Sequence, residues 1–272
     1  MDRRITPANA RVALDILRGT VDAPLYVAGT AACVAVPLAD LCRAPSGPRD
    51  RQLLMGDPVT VIDRQDGWAF VQAAKDGYCG YLRDASLCPA HAATHWVTAA
   101  STHLYPEPRV QSHEIAALSF GSSLTVTGQT ERFAETANGF VPAAHLRPVN
   151  RPMTDPVAVA EMFLGTPYLW GGNSRAGIDC SGLVQASLLA CGIACPGDSD
   201  LQALSVGDAL DPDAPLQRGD LIFWKGHVAT VVDDRRLIHA NGHTMATNYE
   251  DTAATIARIA ATGQPVQIRR RP

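Results

Sequence analysis

Residues 25–148 consist of short runs in which apolar and polar residues alternate, separated by turn residues. The run "RQLLMGDPVTVIDRQDGWAFVQAAKDGYCGYL" is the clearest case, with turn pairs at Gly56-Asp57, Asp66-Gly67 and Asp76-Gly77. Alternation with a period of two is typical of strands that bury one face, and glycine next to aspartate is typical of tight turns. This part of the chain is therefore predicted to be all-β, built from short antiparallel strands.

The same pattern occurs twice. "LLMGDPVTV" aligns with the later "LSFGSSLTV", and "DGYCGYLRDASL" aligns with "NGFVPAAHL". Each copy is long enough for one small barrel and too short for a repeat solenoid. We therefore expect two small barrels, at residues 25–90 and 91–148, preceded by a short helical segment at residues 1–24.

The pattern changes after residue 149. Asp155 followed by Pro156 is typical of a helix start, and Gly165 is positioned to end that helix. A second helix begins at Cys180, a loop covers about residues 195–218, and the runs "DLIFWKG", "VATVVDD" and "RRLIHANG" are predicted strands. Helices followed by an antiparallel sheet predict an α+β domain at residues 149–272.

Composition excludes several classes of protein. The chain has 46% hydrophobic and 18% charged residues, which fits a packed globular protein. Its net charge is −4 with no long basic run, so we expect no nucleic-acid partner. The apolar stretch from Pro24 to Ala39 is interrupted by Pro37 and is shorter than the roughly 20 residues of a membrane span. We expect no membrane anchor and a cytoplasmic protein.

The seven cysteines form an odd set without the paired spacing of a zinc site. Free thiols in a reducing compartment are therefore expected, with no metal site. Cys180, in "GIDCSGLVQASLL", stands at the polar edge of an apolar helical pattern rather than within it. A helix start favours negative charge and can lower a thiol pKa from about 8.5 towards roughly 3.5–7.5 when a cation is near. Cys180 is thus a candidate nucleophile, and a buried structural cysteine is the alternative.

Two histidines follow on the predicted strands. His227 and His239 are 12 residues apart, joined through the "DDRR" turn, so both rings can face the same side of the sheet beside the helix that bears Cys180. One imidazole can accept the proton of the thiol, and the other can fix the tautomer and orientation of the first.

These motifs resemble two known families. The pattern around "GDPVTV", "DGW" and "DGYCGYL" resembles a bacterial SH3 domain, and the second copy resembles it less closely. The series "TPYLWGG", "DCSGLV", "RGDLIFWKGHVATVVD" and "LIHA" resembles the NlpC/P60 family of cell-wall peptidases, which has a papain-like fold. The resemblance implies Cys180 as nucleophile, His227 as general base and acid, and His239 as the orienting third residue, without a metal or cofactor.

The combination of both families resembles a branch of peptidases that recycle cell-wall peptides. It implies hydrolysis of the bond from γ-D-glutamate to a diamino acid in murein peptides with a free N-terminal L-alanine. Asp179, Ser181 and Tyr78 match the positions that hold the substrate's amine in that branch. Asp179 has the alternative role of capping the helix that starts at Cys180.

The resemblance also implies weaker substrate contacts. Tyr168 of "TPYLWGG" should line the site, with packing beside Trp170 as the alternative. "CPGDSDLQ" resembles a family loop that would place Asp198 and Ser199 near the substrate, although Gly197 replaces that loop's arginine. Asp50 matches an acidic residue that supports amine binding, and a solvated loop aspartate is the alternative.

Three other functions remain open at this stage. The chain could be a secreted or periplasmic hydrolase of intact peptidoglycan, a papain-like acyl or amide transferase, or a wall-binding module without activity. The sequence leaves open whether lysine or diaminopimelate follows the glutamate, the oligomeric state, the role of the second barrel, and how the glutamate α-carboxylate is bound.

Overall fold

In the computed structural model, which describes residues Met1–Pro272, the chain divides into two units, Met1–Arg151 and Pro152–Pro272. The predicted boundary at residue 149 lies close to this division. None of the helices combines the length and the apolar character that crossing a bilayer requires. All seven cysteines are free thiols.

The first unit is built from short strands. Its first part contains β1 (Val12–Leu14), β2 (Leu25–Val27), β3 (Thr30–Val34), β4 (Leu38–Cys42), β5 (Arg49–Leu54), β6 (Pro58–Gln65), β7 (Trp68–Ala73), β8 (Cys79–Arg83) and β9 (Leu87–Pro89). Its second part contains β10 (His95–Val97), β11 (Ser101–Leu104), β12 (Ala116–Ser119), β13 (Ser123–Leu124), β14 (Val126–Gln129), β15 (Phe133–Thr136), β16 (Gly139–Pro142) and β17 (Leu146–Pro148).

Residues 1–24 do not form the predicted helix. Apart from one turn of 3₁₀ helix at Asp15–Leu17, this segment consists of turns, irregular backbone and β1, which pairs in parallel with β2. The side chain of Asn9 accepts hydrogen bonds from the backbone N–H groups of Arg11 and Val12, which turns the chain before β1. Val12 is buried against the first barrel, so tertiary packing overrides the local helical pattern.

Strands β3–β9 form one antiparallel sheet in the order β5-β4-β8-β7-β6-β3-β9. The alternation in the sequence places one side chain in two in its core, which includes Val59, Val61, Val71 and Leu82. The predicted turn at Asp66-Gly67 joins β6 to β7, and both residues have positive φ, as a tight hairpin of this kind requires. The first barrel is therefore a direct consequence of the sequence pattern.

The second copy follows the same local order. β7 and β8 are followed by a 3₁₀ turn at Asp84–Ser86 and by β9, and β15 and β16 are followed by a 3₁₀ turn at Ala143–His145 and by β17. Its strands divide into three small sheets around a separate core of Val97, Leu104, Leu118, Leu124 and Val141. The repeat in the sequence thus corresponds to a repeat in structure, with a less continuous sheet in the second copy.

Gly56 lies where these two parts of the first unit meet. Its φ is +82°, and a Cβ atom at this position would lie 2.1 Å from the carbonyl oxygen of Ser123. The backbone N–H of Ser123 also donates to the Met55 carbonyl oxygen at 2.8 Å. Glycine is therefore required here by backbone contact as well as by the turn conformation.

We predict that Gly56→Ala lowers the free energy of unfolding by about 2–4 kcal/mol, because it adds a backbone clash to an unfavourable φ. Gly67→Ala is the matched control. Its φ is +77°, and no atom lies within 4 Å of the added Cβ, so only about 1 kcal/mol should be lost. Urea unfolding of both variants measures the difference, and equal losses would contradict this account.

The second unit combines four helices with an antiparallel sheet. The helices are α1 (Pro156–Glu161), α2 (Cys180–Ala190), α3 (Ser199–Ser205) and α4 (Thr252–Ala260). The strands are β18 (Asn173–Ser174), β19 (Gly177–Ile178), β20 (Asp208–Ala209), β21 (Leu221–Trp224), β22 (His227–Val231), β23 (Arg236–Asn241), β24 (Ala246–Asp251) and β25 (Ile268–Arg271). The main sheet has the order β20-β25-β21-β22-β23-β24, and the predicted α+β architecture is confirmed.

The predicted helix starts agree with the structure. Asp155 caps α1 by accepting the backbone N–H of Val157, and Asp179 caps α2 by accepting that of Gly182. The predicted loop at 195–218 is wrong in part, because it contains α3 and β20. Gln202 of α3 is fully buried, and its amide donates to the carbonyl oxygens of Ser181 and Pro196, which fixes α3 against the start of α2.

Candidate active site

Two helices cover opposite faces of the main sheet. Val184 and Leu188 of α2 pack with Phe223 and Val228 on one face. Residues of α4 pack on the other face, with Ile256 and Ile259 contacting a cluster that contains Ala229, Val231 and Leu237. Because alternate residues of a strand point to opposite faces, the odd-numbered positions of β22 and β23 share the face that α4 covers.

His227 and His239 both belong to that face, as their spacing predicted. In the β22–β23 ladder Thr230 is opposite Ile238, which places the two histidines diagonally. Nε2 of His227 lies 2.9 Å from Nδ1 of His239, within hydrogen-bond distance. The expectation that the rings lie beside α2 needs correction, since α2 covers the opposite face.

Cys180 lies next to the start of the strand that carries His227. It is the first residue of α2 and is 6% exposed. Three backbone N–H groups near the sulfur favour its thiolate form, namely those of Ser181, of Cys180 itself and of Val228, the residue after His227. The thiol is thus held at a helix start and next to the histidine-bearing strand.

The sulfur is not anionic in this state, contrary to the prediction from its position at the helix start. Burial raises the pKa of Cys180 to about 12, and the negative charge of Asp179 raises it further, while the three backbone N–H groups lower it. Burial and the Asp179 charge therefore raise the pKa more than the N–H groups at the start of α2 lower it. Burial also lowers the pKa of His227 to about 3 and that of His239 to about 4. At neutral pH the site therefore holds a neutral thiol and two neutral imidazoles.

Asp179 joins several parts of the site. One carboxylate oxygen accepts hydrogen bonds from the Gly182 N–H at 2.7 Å and the Ser181 hydroxyl at 3.1 Å. The other accepts the Gly171 N–H at 2.9 Å. The alternative role of Asp179 as a helix cap is therefore present in the structure. The same carboxylate also holds the loop that contains Tyr168.

Tyr168 lies close to both Cys180 and Asp179. Burial and these two neighbouring groups raise its pKa well above the usual value for a phenol, so its hydroxyl stays protonated. Its backbone N–H donates to the Met245 carbonyl oxygen at 3.0 Å, which ties it to the loop between β23 and β24. Trp170, two residues later, is 70% exposed, so its ring does not fill the core.

Two further predicted contact residues lie at the start of α3. Asp198 precedes α3 and Ser199 is its first residue, and α3 is linked to Ser181 through the buried amide of Gln202. Gln202 connects the predicted loop to the helix of Cys180, a role that no sequence motif indicated. Its side chain explains how the segment after Gly197 is fixed.

Tyr78 and Asp50 belong to the first unit. Tyr78 is buried in the barrel core, and the Arg51 guanidinium carbon lies 5.7 Å from its ring centre. Asp50 lies in β5, not in a solvated loop, and forms ion pairs with Arg3 at 2.7 Å and Arg43 at 3.2 Å. These arginines balance its charge, which favours a structural role for Asp50 over amine binding. The role of Tyr78 in amine binding stays a prediction.

Comparison with known proteins assigns the family. Residues 165–261 match the model of the NlpC/P60 family. The second unit is an NlpC/P60 domain. Residues 41–87 match the bacterial dipeptidyl-peptidase SH3 domain. The chain thus combines an NlpC/P60 cysteine peptidase domain with an N-terminal bacterial SH3 domain, as the sequence motifs predicted.

Several known proteins resemble most of the chain. The chain is 29% identical over 226 residues to a γ-D-glutamyl-L-lysine dipeptidyl-peptidase of Bacillus cereus, covering 70% of this chain and 67% of the relative. It is 29% identical over 215 residues to dipeptidyl-peptidase 6 of Lysinibacillus sphaericus, which covers 70% of this chain and 79% of the relative. The crystal structure of a Bacillus cereus NlpC/P60 protein superposes with a TM-score of 0.75 at 24% identity, covering 89% of this chain and 99% of that one. This last similarity confirms the fold.

The NlpC/P60 domain contains one group near the histidines that the sequence analysis did not identify. Glu250 of β24 has an oxygen 3.5 Å from Nε2 of His239. The run "ATNYED" does not alternate apolar and polar residues, so no strand pattern indicated β24. In the β23–β24 ladder Glu250 is opposite Leu237, which puts it on the face that carries His239.

We predict that Asp179→Asn increases the reactivity of Cys180 in the absence of substrate. Asparagine caps a helix about as well as aspartate, but it lacks the negative charge that raises the pKa of the thiol. Alkylation of Cys180 by iodoacetamide at pH 8 should become roughly two- to tenfold faster. Peptide mapping by mass spectrometry measures the modification of each cysteine.

Asp155→Asn is the matched control for this experiment. Asp155 also caps a helix, and its charge raises the pKa of Cys191 rather than that of Cys180. This control should leave the rate at Cys180 unchanged. An unchanged or slower rate in Asp179→Asn would show that the carboxylate does not hold the thiol in its neutral form.

Proposed function

We propose that this peptidase hydrolyses the bond between γ-D-glutamate and a diamino acid in murein peptides with a free N-terminal L-alanine, and releases L-Ala-γ-D-Glu. The relatives named γ-D-glutamyl-L-lysine dipeptidyl-peptidases support this substrate class. The observation that carries the proposal is the Asp179 carboxylate directly beside Cys180, partly exposed and held by three hydrogen bonds.

A carboxylate at this place can recognise the substrate's ammonium group. An ammonium that leaves water is stabilised when a fixed carboxylate accepts its hydrogen bonds. The Gly171 and Gly182 N–H groups and the Ser181 hydroxyl hold Asp179 in one orientation, so little ordering is needed when the ligand binds. Pairing with an ammonium would also offset the charge that raises the pKa of Cys180, so the correct substrate would favour the thiolate.

The reaction would follow the usual course of thiol catalysis. The Cys180 sulfur attacks the γ-carbonyl carbon of D-glutamate, and its proton passes to His227. Because Nε2 of His227 contacts His239, the nitrogen left to accept the proton is Nδ1. His227 then protonates the leaving amine of the diamino acid, and the resulting thioester is hydrolysed by a water molecule that His227 activates.

Two groups can stabilise the negative oxygen that forms during the attack. The backbone N–H groups at the start of α2 point towards the region of the sulfur. Tyr168 remains a neutral hydroxyl donor close to Cys180. Donors held in advance near the developing charge lower the barrier without reorganising during the reaction.

The activity test compares the free tripeptide L-Ala-γ-D-Glu-L-Lys with its N-acetylated form, and the diaminopimelate peptide is assayed beside them. We expect L-Ala-γ-D-Glu to be released from the free peptides and not by Cys180→Ala. Acetylation removes a charged hydrogen bond worth about 1.5–3 kcal/mol, so kcat/KM should fall roughly 10- to 150-fold. Chromatography with mass spectrometry measures the product. Equal rates with and without acetylation would refute amine recognition, and no release from any peptide would refute the substrate class.

We further propose that this reaction takes place in the cytoplasm as part of peptide recycling. The seven free thiols favour a reducing compartment, in which they persist. Small free peptides, and not the intact wall, are the substrates that an amine-recognising site would select. Cell fractionation with an antibody against the chain tests this location. Recovery of the protein in the extracellular fraction would contradict it.

A further inference from the structure

One buried nitrogen of the histidine pair lacks a hydrogen-bond partner. The His239 ring is 1% exposed, and its Nδ1 contacts His227. Its Nε2 makes no hydrogen bond within normal limits, and the Oε2 atom of Glu250 lies 3.5 Å away. A buried N–H group next to a carboxylate is more stable than a buried bare nitrogen, whose lone pair the carboxylate would repel. The protonation state of Nε2 is therefore coupled to Glu250.

The position of this proton determines what His227 can do. A neutral imidazole carries one proton, so one of its nitrogens donates and the other accepts. If Nε2 of His239 carries the proton, its Nδ1 must accept a hydrogen bond from Nε2 of His227. His227 then has an unprotonated Nδ1, which is the form that can take the proton of the Cys180 thiol. The opposite arrangement leaves Nδ1 of His227 protonated and unable to act as a base.

Glu250 is held in place by α4. The Thr255 hydroxyl donates to its Oε2 atom at 2.8 Å, and the Arg258 guanidinium donates to the same oxygen. Burial alone would raise the pKa of Glu250, but the bonds from Thr255 and Arg258 and the neighbouring His239 bring it below its usual value. The carboxylate is therefore ionised at neutral pH, and its orientation is fixed from the helix side.

We propose that Glu250 is a positioning residue that fixes the proton of His239 on Nε2 and thereby leaves Nδ1 of His227 free to accept the proton of the Cys180 thiol. This role rests on the thiol chemistry of the proposed function but not on the identity of the peptide. It adds Glu250 and Arg258 to the line of contacts that begins with His227 and His239.

Several charged or titratable groups face His239. They come from every element packed around it: His227 from β22, Glu250 from β24, Arg258 from α4 and His243 from the β23–β24 loop. Glu250 favours the protonated imidazoles, whereas Arg258 and His243 disfavour a positive charge on His239. Loss of the Glu250 charge should therefore make both imidazoles less basic.

The test uses Glu250→Gln in the full chain. A glutamine amide can donate to Nε2 of His239 and so reverse the arrangement of protons. The wrong tautomer costs about 10⁴-fold in kcat in a serine–histidine–aspartate triad. Because Glu250 acts through a second imidazole, we expect a smaller loss, about 10- to 100-fold in kcat with KM changed less than about twofold. The acid limb of the kcat/KM profile should move to lower pH, since the imidazoles become less basic.

Two further variants separate positioning from structural support. Glu250→Asp keeps the negative charge. The acid limb of its kcat/KM profile should therefore stay near that of the wild type, although its kcat falls in part. Glu161→Gln is the matched control, because Glu161 accepts the hydroxyl of the neighbouring Tyr249 at 2.8 Å and is not among the groups that face the histidines. The kcat/KM profile of Glu161→Gln should lie at the same pH as that of the wild type. If a folded Glu250→Gln variant showed an unchanged kcat and an unchanged acid limb of the kcat/KM profile, the proposal would be overturned.

A substrate-independent measurement distinguishes this proposal from the proposed function. Iodoacetamide alkylation of Cys180, mapped by mass spectrometry, should be about tenfold slower in Glu250→Gln even if the chain cleaves no γ-glutamyl peptide. Should the variant not fold, two-bond ¹H–¹⁵N spectra of the wild type report the tautomers directly. A protonated Nε2 on His239 supports the proposal, and a protonated Nδ1 overturns it.

Discussion

The hydrogen bond between His227 and His239 is the contact on which the proposed chemistry depends. It exists because β22 and β23 pair antiparallel in a register that sets the two rings diagonally on one face. A slip of one residue would turn one ring to the face that α2 covers. The bond occupies Nε2 of His227 and leaves Nδ1 as the nitrogen that can serve the thiol. Sheet register thus determines which atom can act as the base.

Burial shapes this site more strongly than the helix start. A thiol at the beginning of α2 receives backbone N–H groups, yet burial and Asp179 keep it neutral. The histidines are kept neutral by burial as well. Without substrate the site therefore has no thiolate–imidazolium ion pair. The proton of the Cys180 thiol must move when the substrate binds or reacts. Asp179 is central to this behaviour, since it caps α2, fixes the Tyr168 loop and opposes ionisation of Cys180.

Much of the architecture could be predicted from local patterns. Alternation and Asp-Gly turns identified the first barrel, Asp155 and Asp179 marked two helix starts, and the spacing of the histidines placed them on one face. These features depend on residues close in the sequence. They needed no knowledge of how distant segments pack.

The failures all involve contacts between distant residues. The helix predicted for residues 1–24 does not form, because Val12 packs on the first barrel. The position of α3 depends on the hydrogen bond from the buried Gln202 amide to the Ser181 carbonyl oxygen. The pKa of Cys180 reflects its full surroundings, which the helix pattern alone does not contain. Glu250 reaches His239 across a strand pair that the sequence analysis did not assign.

The central claim is that the Cys180 sulfur forms a covalent bond with the substrate's γ-glutamyl carbon. Acid quenching of the enzyme during turnover of L-Ala-γ-D-Glu-L-Lys, followed by peptide mass spectrometry, tests it most directly. The account predicts an L-Ala-γ-D-Glu thioester on the peptide that contains Cys180 and on no other cysteine. Product release without any adduct on Cys180, together with activity that persists in Cys180→Ala, would contradict it.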